Sequence, residues 1–213
     1  MRITKFTHSC LRLEGDGVLV VDPGVFSETS EALTGADAVL ITHEHPDHLD
    51  VEALGEAVKQ RPDLRIVVHP EVLPKVESLG AESITAVEPG AEFTAAGFTV
   101  RAFGGQHAII HPDIPRIANL GYLISDGSGN LYHPGDSYFA PEGEAVETLF
   151  VPLHAPWAKI SETIDFTRTV RPERAFALHD GLLNDIAFGV YNGQMERLSG
   201  TSYARLTPGS TIG

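Results

Sequence analysis

Residues 38–48 read Ala38-Val39-Leu40-Ile41-Thr42-His43-Glu44-His45-Pro46-Asp47-His48. The first four form a short apolar run of central-strand length. They deliver the chain directly into three histidines and an aspartate within six residues. If strand geometry persists briefly past Thr42, His43 and His45 point to the same side. Pro46 cannot continue a hydrogen-bonded ladder and turns the chain, which leaves Asp47 and His48 in the turn before the next element. Three imidazoles and one carboxylate so close together make a dense nitrogen and oxygen donor set for a borderline metal. The competing reading is a polar strand-to-helix loop whose histidines merely cap the helix.

A single segment cannot complete two metal sites, so further donors are expected at later strand ends. Phe98 to Phe103 runs out into Gly104-Gly105-Gln106-His107, and Leu131-Tyr132-His133-Pro134 into Gly135-Asp136. Arg174 to Leu178 ends at His179-Asp180-Gly181. Taken alone, a histidine at a strand end is more often structural than a ligand. In this order the three strand ends reinforce the first.

The rest of the chain supports a mixed architecture. Residues 2–8 and 10–14 read as a strand pair, with a turn at Gly15-Asp16-Gly17. Residues 18–21 form a buried strand ending at Asp22-Pro23-Gly24. Residues 51–60 carry Val51, Leu54 and Val58 on one helical stripe, with Asp50 as N-cap and Pro62 beyond the end. Strands are expected at 64–68, 83–87, 92–95 and 98–103, and a helix at 71–79. Residues 104–119 hold Gly, Pro and two histidines with no period and read as a functional loop. Strands at 120–124 and 130–132 flank the hairpin signal Asp126-Gly127-Ser128-Gly129. A strand at 149–153, a helix at 161–170, a strand at 174–178 and a less regular helical tail follow. Two successive mixed halves suit two sheets packed face to face with helices outside, an α+β, four-layer αββα sandwich in a single domain over residues 1–213.

Composition narrows the partners. The 213 residues are 42% hydrophobic and 21% charged, enough for a sizeable core. No run approaches the length of a membrane span, and the first ten residues hold no stretch long enough for a signal peptide. One cysteine, Cys10, allows no intrachain disulfide, so a reducing cytoplasm is the expected location. Acidic residues number 29 against 15 Lys and Arg, a net charge of -14. That balance argues against a phosphate backbone as partner. It leaves room for a small anion, because bound cations supply positive charge locally.

The order His-x-His-x-Asp-His, then a His, a Gly-Asp and a final His resembles the ligand pattern of the metallo-β-lactamase superfamily across nearly the whole chain. Thr7-His8-Ser9 and Asp22-Pro23 resemble most the small single-domain members related to L-ascorbate-6-phosphate lactonase. The resemblance implies two divalent metal ions, zinc first and manganese or iron as alternatives. It implies one metal on His43, His45 and His107, and a second on Asp47, His48 and His179, with Asp136 bridging them. Water between such a metal pair loses a proton near neutral pH and becomes the nucleophile. Asp47, as ligand and neighbour of that water, is the expected catalytic residue that orients it and carries its proton.

The remaining candidates surround that centre. His111 follows His107 by four, but Pro112 and Pro115 argue against a helix there. His107 is therefore taken as the ligand, and His111 is either a substrate contact or an exposed loop residue. His8 and His154 lie at or near strand ends, where they either touch substrate or hydrogen-bond a ligand. Asp22 either orients a ligand imidazole or simply makes a turn. His69 and His133 are expected to be structural. Arg116 and Lys159 are the candidates for gripping an anionic substrate group, and Trp157 either walls the pocket or packs in the core.

The function expected is hydrolysis of a small ester-type bond, with lactones and phosphoesters first. A nuclease or phosphodiesterase of the same fold has no evident RNA-binding insert. A di-iron redox protein of this fold commonly carries Glu where His45 stands. A metal-binding sensor without turnover is disfavoured because no ligand position has been lost. β-Lactam hydrolysis is not expected without an export signal. The expected partner is a small, anionic molecule, and a homo-oligomer is left open.

Overall fold

The strand Val18–Val21 (β3) sorts its side chains to two faces: Leu19 and Val21 join one buried apolar cluster, and Val20 another. The strand Ala38–Leu40 (β4) repeats the split, with Ala38 and Leu40 on the first face and Val39 on the second. In Arg65–Val68 (β5), Val67 faces one way and Ile66 and Val68 the other. Strands apolar on both faces must be covered on both. That requirement fixes the order of the layers.

In a computed structural model describing residues 1–213, the first sheet has seven strands. Ser210–Ile212 (β14), Arg2–Lys5 (β1) and Leu11–Glu14 (β2) lead to β3, β4, β5 and Ser83–Ala86 (β6). The second sheet, also of seven, runs Ser202–Ala204 (β13), Arg174–Leu178 (β12), Thr148–Pro152 (β11), Asn130–His133 (β10), Leu120–Ser125 (β9), Phe98–Gly104 (β8) and Glu92–Ala95 (β7). Between the sheets lies a cluster of 20 buried residues including Leu11, Leu19, Phe98, Tyr122 and Phe150. Helices Thr29–Leu33 (α1), Val51–Gln60 (α2) and Leu73–Val76 (α3) cover the outer face of the first sheet through a cluster of 16. Helices Ile160–Val170 (α4) and Asp185–Leu198 (α5) cover the second through a cluster of 13. Three apolar interfaces between four layers make the αββα sandwich. No helix is long and apolar enough to cross a membrane.

Several boundaries differ from those expected. The strand expected over 2–8 stops at Lys5, and His8 lies beyond it with φ 64 in the left-handed region. The helix expected over 71–79 shrinks to α3 and a 3-10 turn at Glu77–Leu79. Pro70 and Pro74 each withhold an amide donor, and Gly80 at φ 84 ends the turn. The irregular tail resolves into α5, whose N-cap Asn184 accepts from the Ala187 amide, followed by β13 and β14. Two three-residue strands carry too little pattern to register as periodicity. Helix α1 was likewise not anticipated. Helix α2 begins as expected, with the Asp50 side chain accepting from Ala53 N at 3.0 Å.

Strand directions place the site. β1, β3 and β4 run the same way in the first sheet, since β2 is antiparallel to both β1 and β3 and β4 is parallel to β3. β8, β10, β11 and β12 share a direction in the second. The loops leaving their carboxyl ends carry His8, Asp22, residues 42–48, His107, Asp136, His154 and His179. Loops at the carboxyl ends of parallel strands are where α/β sheets gather ligand-binding groups.

Candidate metal centre

Two clusters of donor atoms form where these loops meet. His43, His45, His107 and Asp136 offer atoms within 4.8 Å of one another, and so do His8, Asp47, His48 and His179. Asp136 faces both clusters. Its Oδ2 is 3.3 Å from His107 Nε2 and 3.2 Å from His179 Nε2, and its Oδ1 is 3.0 Å from His48 Nε2. The seven residues expected as ligands are thus brought together, and His8 joins the cluster around Asp47.

The far side of each ring is tied down. His48 Nδ1 donates to Asp22 Oδ2 at 2.6 Å, His107 Nδ1 to the Ala108 carbonyl at 2.6 Å, and His179 Nδ1 to the His154 carbonyl at 2.7 Å. His43 Nδ1 is 2.9 Å from Thr42 Oγ1, which itself donates to Asp22 Oδ2 at 2.6 Å. The hydroxyl therefore accepts from His43, and Asp22 sets two rings at once. With hydrogen on Nδ1, each ring turns a lone pair on Nε2 inward, the tautomer a metal requires. His45 presents Nδ1 to the same region, 3.1 Å from His43 Nε2.

The inward atoms are left wanting. His48 Nε2, His107 Nε2, His179 Nε2 and Asp136 Oδ1 are buried without a hydrogen-bond partner. All four converge on one point with no well-formed hydrogen bond among them. Nitrogen lone pairs around carboxylate oxygens suit divalent cations, and the residues fit a metal pair.

Electrostatics agree. Burial holds His43 well below its ordinary value, with His48 adding to the effect. At His48 and His179 burial is outweighed, chiefly by Asp136, which lifts His48 well above its ordinary value and His179 to about 9. Against burial, His179 and His48 keep the Asp136 carboxyl far below the usual range. Asp47 is likewise held low against burial by its hydrogen bonds with His179 and His8.

His8 serves Asp47. Gly181 N–H donates to His8 Nδ1 at 3.2 Å, so the hydrogen sits on Nε2, 3.0 Å from Asp47 Oδ2. Burial pushes His8 down to about 4, which keeps the ring neutral in that role. The loop bearing it is clamped by Lys5. That fully buried ammonium donates to the carbonyls of Phe6 (2.6 Å) and His8 (2.8 Å) and to Asp180 Oδ1 (3.0 Å). One cation thus joins the end of β1 to the residue after His179.

Two glycines and an asparagine set the remaining loops. A Cβ on Gly24 would stand 1.9 Å from the Asp47 carbonyl oxygen, so the Asp-Pro-Gly turn lets the metal segment lie directly on it. Gly135, at φ 61, admits Asn119 beside Asp136. Asn119 accepts from Asp136 N at 2.9 Å and donates to the Pro134 carbonyl at 2.9 Å. The sequence alone marks no role for Lys5, Thr42, Asn119 or Asp180; Thr42 and Asp180 carry the one local signal, as neighbours of His43 and His179.

Beside the centre opens a cleft of about 840 Å³. Trp157 stands in its wall, 9% exposed, and donates from Nε1 to Asp136 Oδ2 at 3.2 Å. It is both core residue and pocket wall. Arg116 and Lys159 line the cleft. His111 does not, because its side chain is 61% exposed and pairs only with Asp113 in its own loop. His154 holds Tyr191 OH at 3.1 Å and lends its carbonyl to His179. His133 is buried between the Ser9 carbonyl and the Gly135 amide, a structural role as expected. His69 accepts from Glu71 N in its own turn, away from the centre.

Comparison with known proteins adds a family. The model described as Beta-lactamase superfamily domain matches residues 2–179. Protein Rv0786c of Mycobacterium tuberculosis is 41% identical over 215 residues, covering 100% of this chain and 99% of its own length. A UPF0173 metal-dependent hydrolase of Methanopyrus kandleri is 28% identical, covering 71% of this chain and 69% of its own. Igni18, a metallo hydrolase from Ignicoccus hospitalis, superposes with a TM-score of 0.77 over 99% of this chain and 97% of its own, at 21% identity, a likeness of fold.

Proposed function

The chain belongs to the beta-lactamase superfamily, and from that premise we propose that it is a metal-dependent hydrolase. His43, His45 and His107 would hold one divalent cation, Asp47, His48 and His179 a second, and Asp136 would reach both. Zinc is the first expectation, with manganese or iron behind it. The observation that carries this reading is the convergence of three unpartnered Nε2 atoms on one buried carboxylate. Cations bound there supply an acidified water and Lewis-acid polarisation of the attacked group.

The protein's own residues do the rest. Asp47 Oδ2 is fixed by His8, and Oδ1, which makes no hydrogen bond within the protein, would take and return the proton. Trp157 shields one side of Asp136 from water. Arg116 and Lys159 supply positive charge for an anionic substrate on a molecule of net charge -14. The substrate class is a small ester-type molecule, with lactones and phosphoesters first, as the likeness to L-ascorbate-6-phosphate lactonase-related members suggests.

Metal analysis of the purified protein tests the first step: about two zinc or manganese per chain is expected, and two redox-active irons would favour an oxygen-using reading. A panel of lactones, phosphomonoesters, phosphodiesters and thioesters tests the second. Asp47→Ala should lose at least about a hundredfold in turnover, and near-normal hydrolysis by that variant would refute its role.

A further inference from the structure

The cleft beside the centre has two unlike parts. Ile109 and Ile110, from the loop after His107, face Tyr138 and Phe139, from the loop after Asp136, with Trp157 between them and the carboxylate. At the same cleft, Arg116 spends two of its three guanidinium nitrogens on the protein. Its Nε donates to the His107 carbonyl at 2.7 Å and its Nη1 to Gln106 Oε1 at 2.7 Å, which leaves Nη2 without a protein partner. No carboxylate pairs with it, although acidic residues outnumber basic ones 29 to 15. Lys159, 78% exposed, lies only within 3.9 Å of Glu162.

The surface carries the same signal. Of the nine large apolar side chains left exposed, Ile109 and Phe139 line the cleft, and Val25, Phe26, Ile114 and Leu182 lie on loops leaving the strand ends that bear the site, while Val51, Ile186 and Val190 lie on helices α2 and α5. Exposed apolar side chains that line a cleft beside a polar centre mark a surface for an apolar ligand.

We propose that the substrate is a small amphipathic anion, its alkyl or aryl body between Ile109/Ile110 and Tyr138/Phe139/Trp157 and its anionic group on Arg116. The bond that is cut rests on the hydrolase reading above; the binding of body and anion does not. An apolar wall binds by area removed from water, so affinity climbs with chain length. A guanidinium with an unpartnered nitrogen selects for an anion. A neutral molecule of the same length or a short anion satisfies only one half of the cleft.

Trp157 is the only tryptophan, so its fluorescence reports occupancy of the cleft without turnover. The metal-loaded protein would be titrated with octanesulfonate, octanol and methanesulfonate, sulfonate being a poor metal ligand, with calorimetry in parallel. Octanesulfonate should bind at least about tenfold more tightly than either control. Arg116→Ala should remove that advantage over octanol, and Arg116→Lys should restore part of it. Equal affinity for octanesulfonate and methanesulfonate, an Arg116→Ala variant with the advantage intact, or silence in both fluorescence and calorimetry would overturn the proposal. Octanesulfonate binding without hydrolysis of any ester would instead sink the hydrolase reading and leave this one standing. Hydrolysis indifferent to chain length and charge would do the reverse.

Discussion

Replacing Asp22 by asparagine asks how the centre is kept ready for metal. The carboxylate accepts Thr42 N–H at 2.8 Å on Oδ1, and on Oδ2 both the Thr42 hydroxyl and His48 Nδ1 at 2.6 Å. Asparagine keeps an acceptor for the backbone amide and puts an NH2 group where Oδ2 stood. The hydroxyl of Thr42 must then turn its hydrogen toward His43 Nδ1, 2.9 Å away. His48 Nδ1 must likewise become an acceptor. Each ring then keeps its only hydrogen on Nε2, the atom a metal must reach. Every buried group keeps a hydrogen-bond partner in that arrangement, so the metal-free fold loses chiefly the attraction between the Asp22 carboxylate and the His48 ring. Metal uptake requires both rings to revert, leaving His48 Nδ1–H against the new NH2 and the Thr42 hydroxyl hydrogen without an acceptor, at about 1–3 kcal/mol each. The sum, about 2–6 kcal/mol, is a loss of roughly 30-fold to 10⁴-fold in affinity. Competition against a chromophoric chelator measures it, nitrogen NMR of the imidazoles reads the tautomers, and melting of chelator-treated protein isolates stability. Wild-type affinity within about threefold, with the fold intact, would refute the reasoning.

Gly24→Ala forces a methyl to within 1.9 Å of the Asp47 carbonyl oxygen; the metal segment must shift, costing about 1–3 kcal/mol and lowering metal content by mass spectrometry. Lys5→Met strands the Asp180 carboxylate, 6% exposed, and should cost about 3–5 kcal/mol in denaturant unfolding. Lys5→Met/Asp180→Leu should recover part of that loss, and a double variant no better than the single would contradict the pairing. His179, raised to about 9, stabilises the metal-free fold fully below about pH 6.5 and loses that contribution as pH rises through about 9. Chelator-treated protein should therefore become less stable by up to about 3 kcal/mol between those limits. Metal affinity should rise over the same interval, because the bound ring cannot keep its proton. A melting temperature flat across that range speaks against the assignment.

The sequence carried the layers and the donors because both are written in short-range signals. Val39 between Ala38 and Leu40 announces a strand covered on both faces, and His43 two residues before His45 places both rings on one side. The supports were hidden because they are long-range. Lys5 and Asp180 lie 175 residues apart and meet only after both sheets form. Gly24 looks like any turn glycine until Asp47 lies across it, and Asn119 has no pattern around it that announces a partner in Asp136. His111, spaced like a ligand, was separated from His107 only by the prolines that keep the loop from becoming a helix.

The pairing of Ile3 with Ile212 and Lys5 with Ser210 bears on the order in which the molecule can be made. Strand β1 is made some 207 residues before its neighbour β14, so the first sheet stays open along that edge until β14 follows. The segment 43–48, rich in imidazoles, is therefore exposed long before His179 and the closing strand arrive. Contacts this distant in sequence slow folding. During that interval the chain offers a partial chelate and an unpaired strand, and the unpaired strand is the hazard.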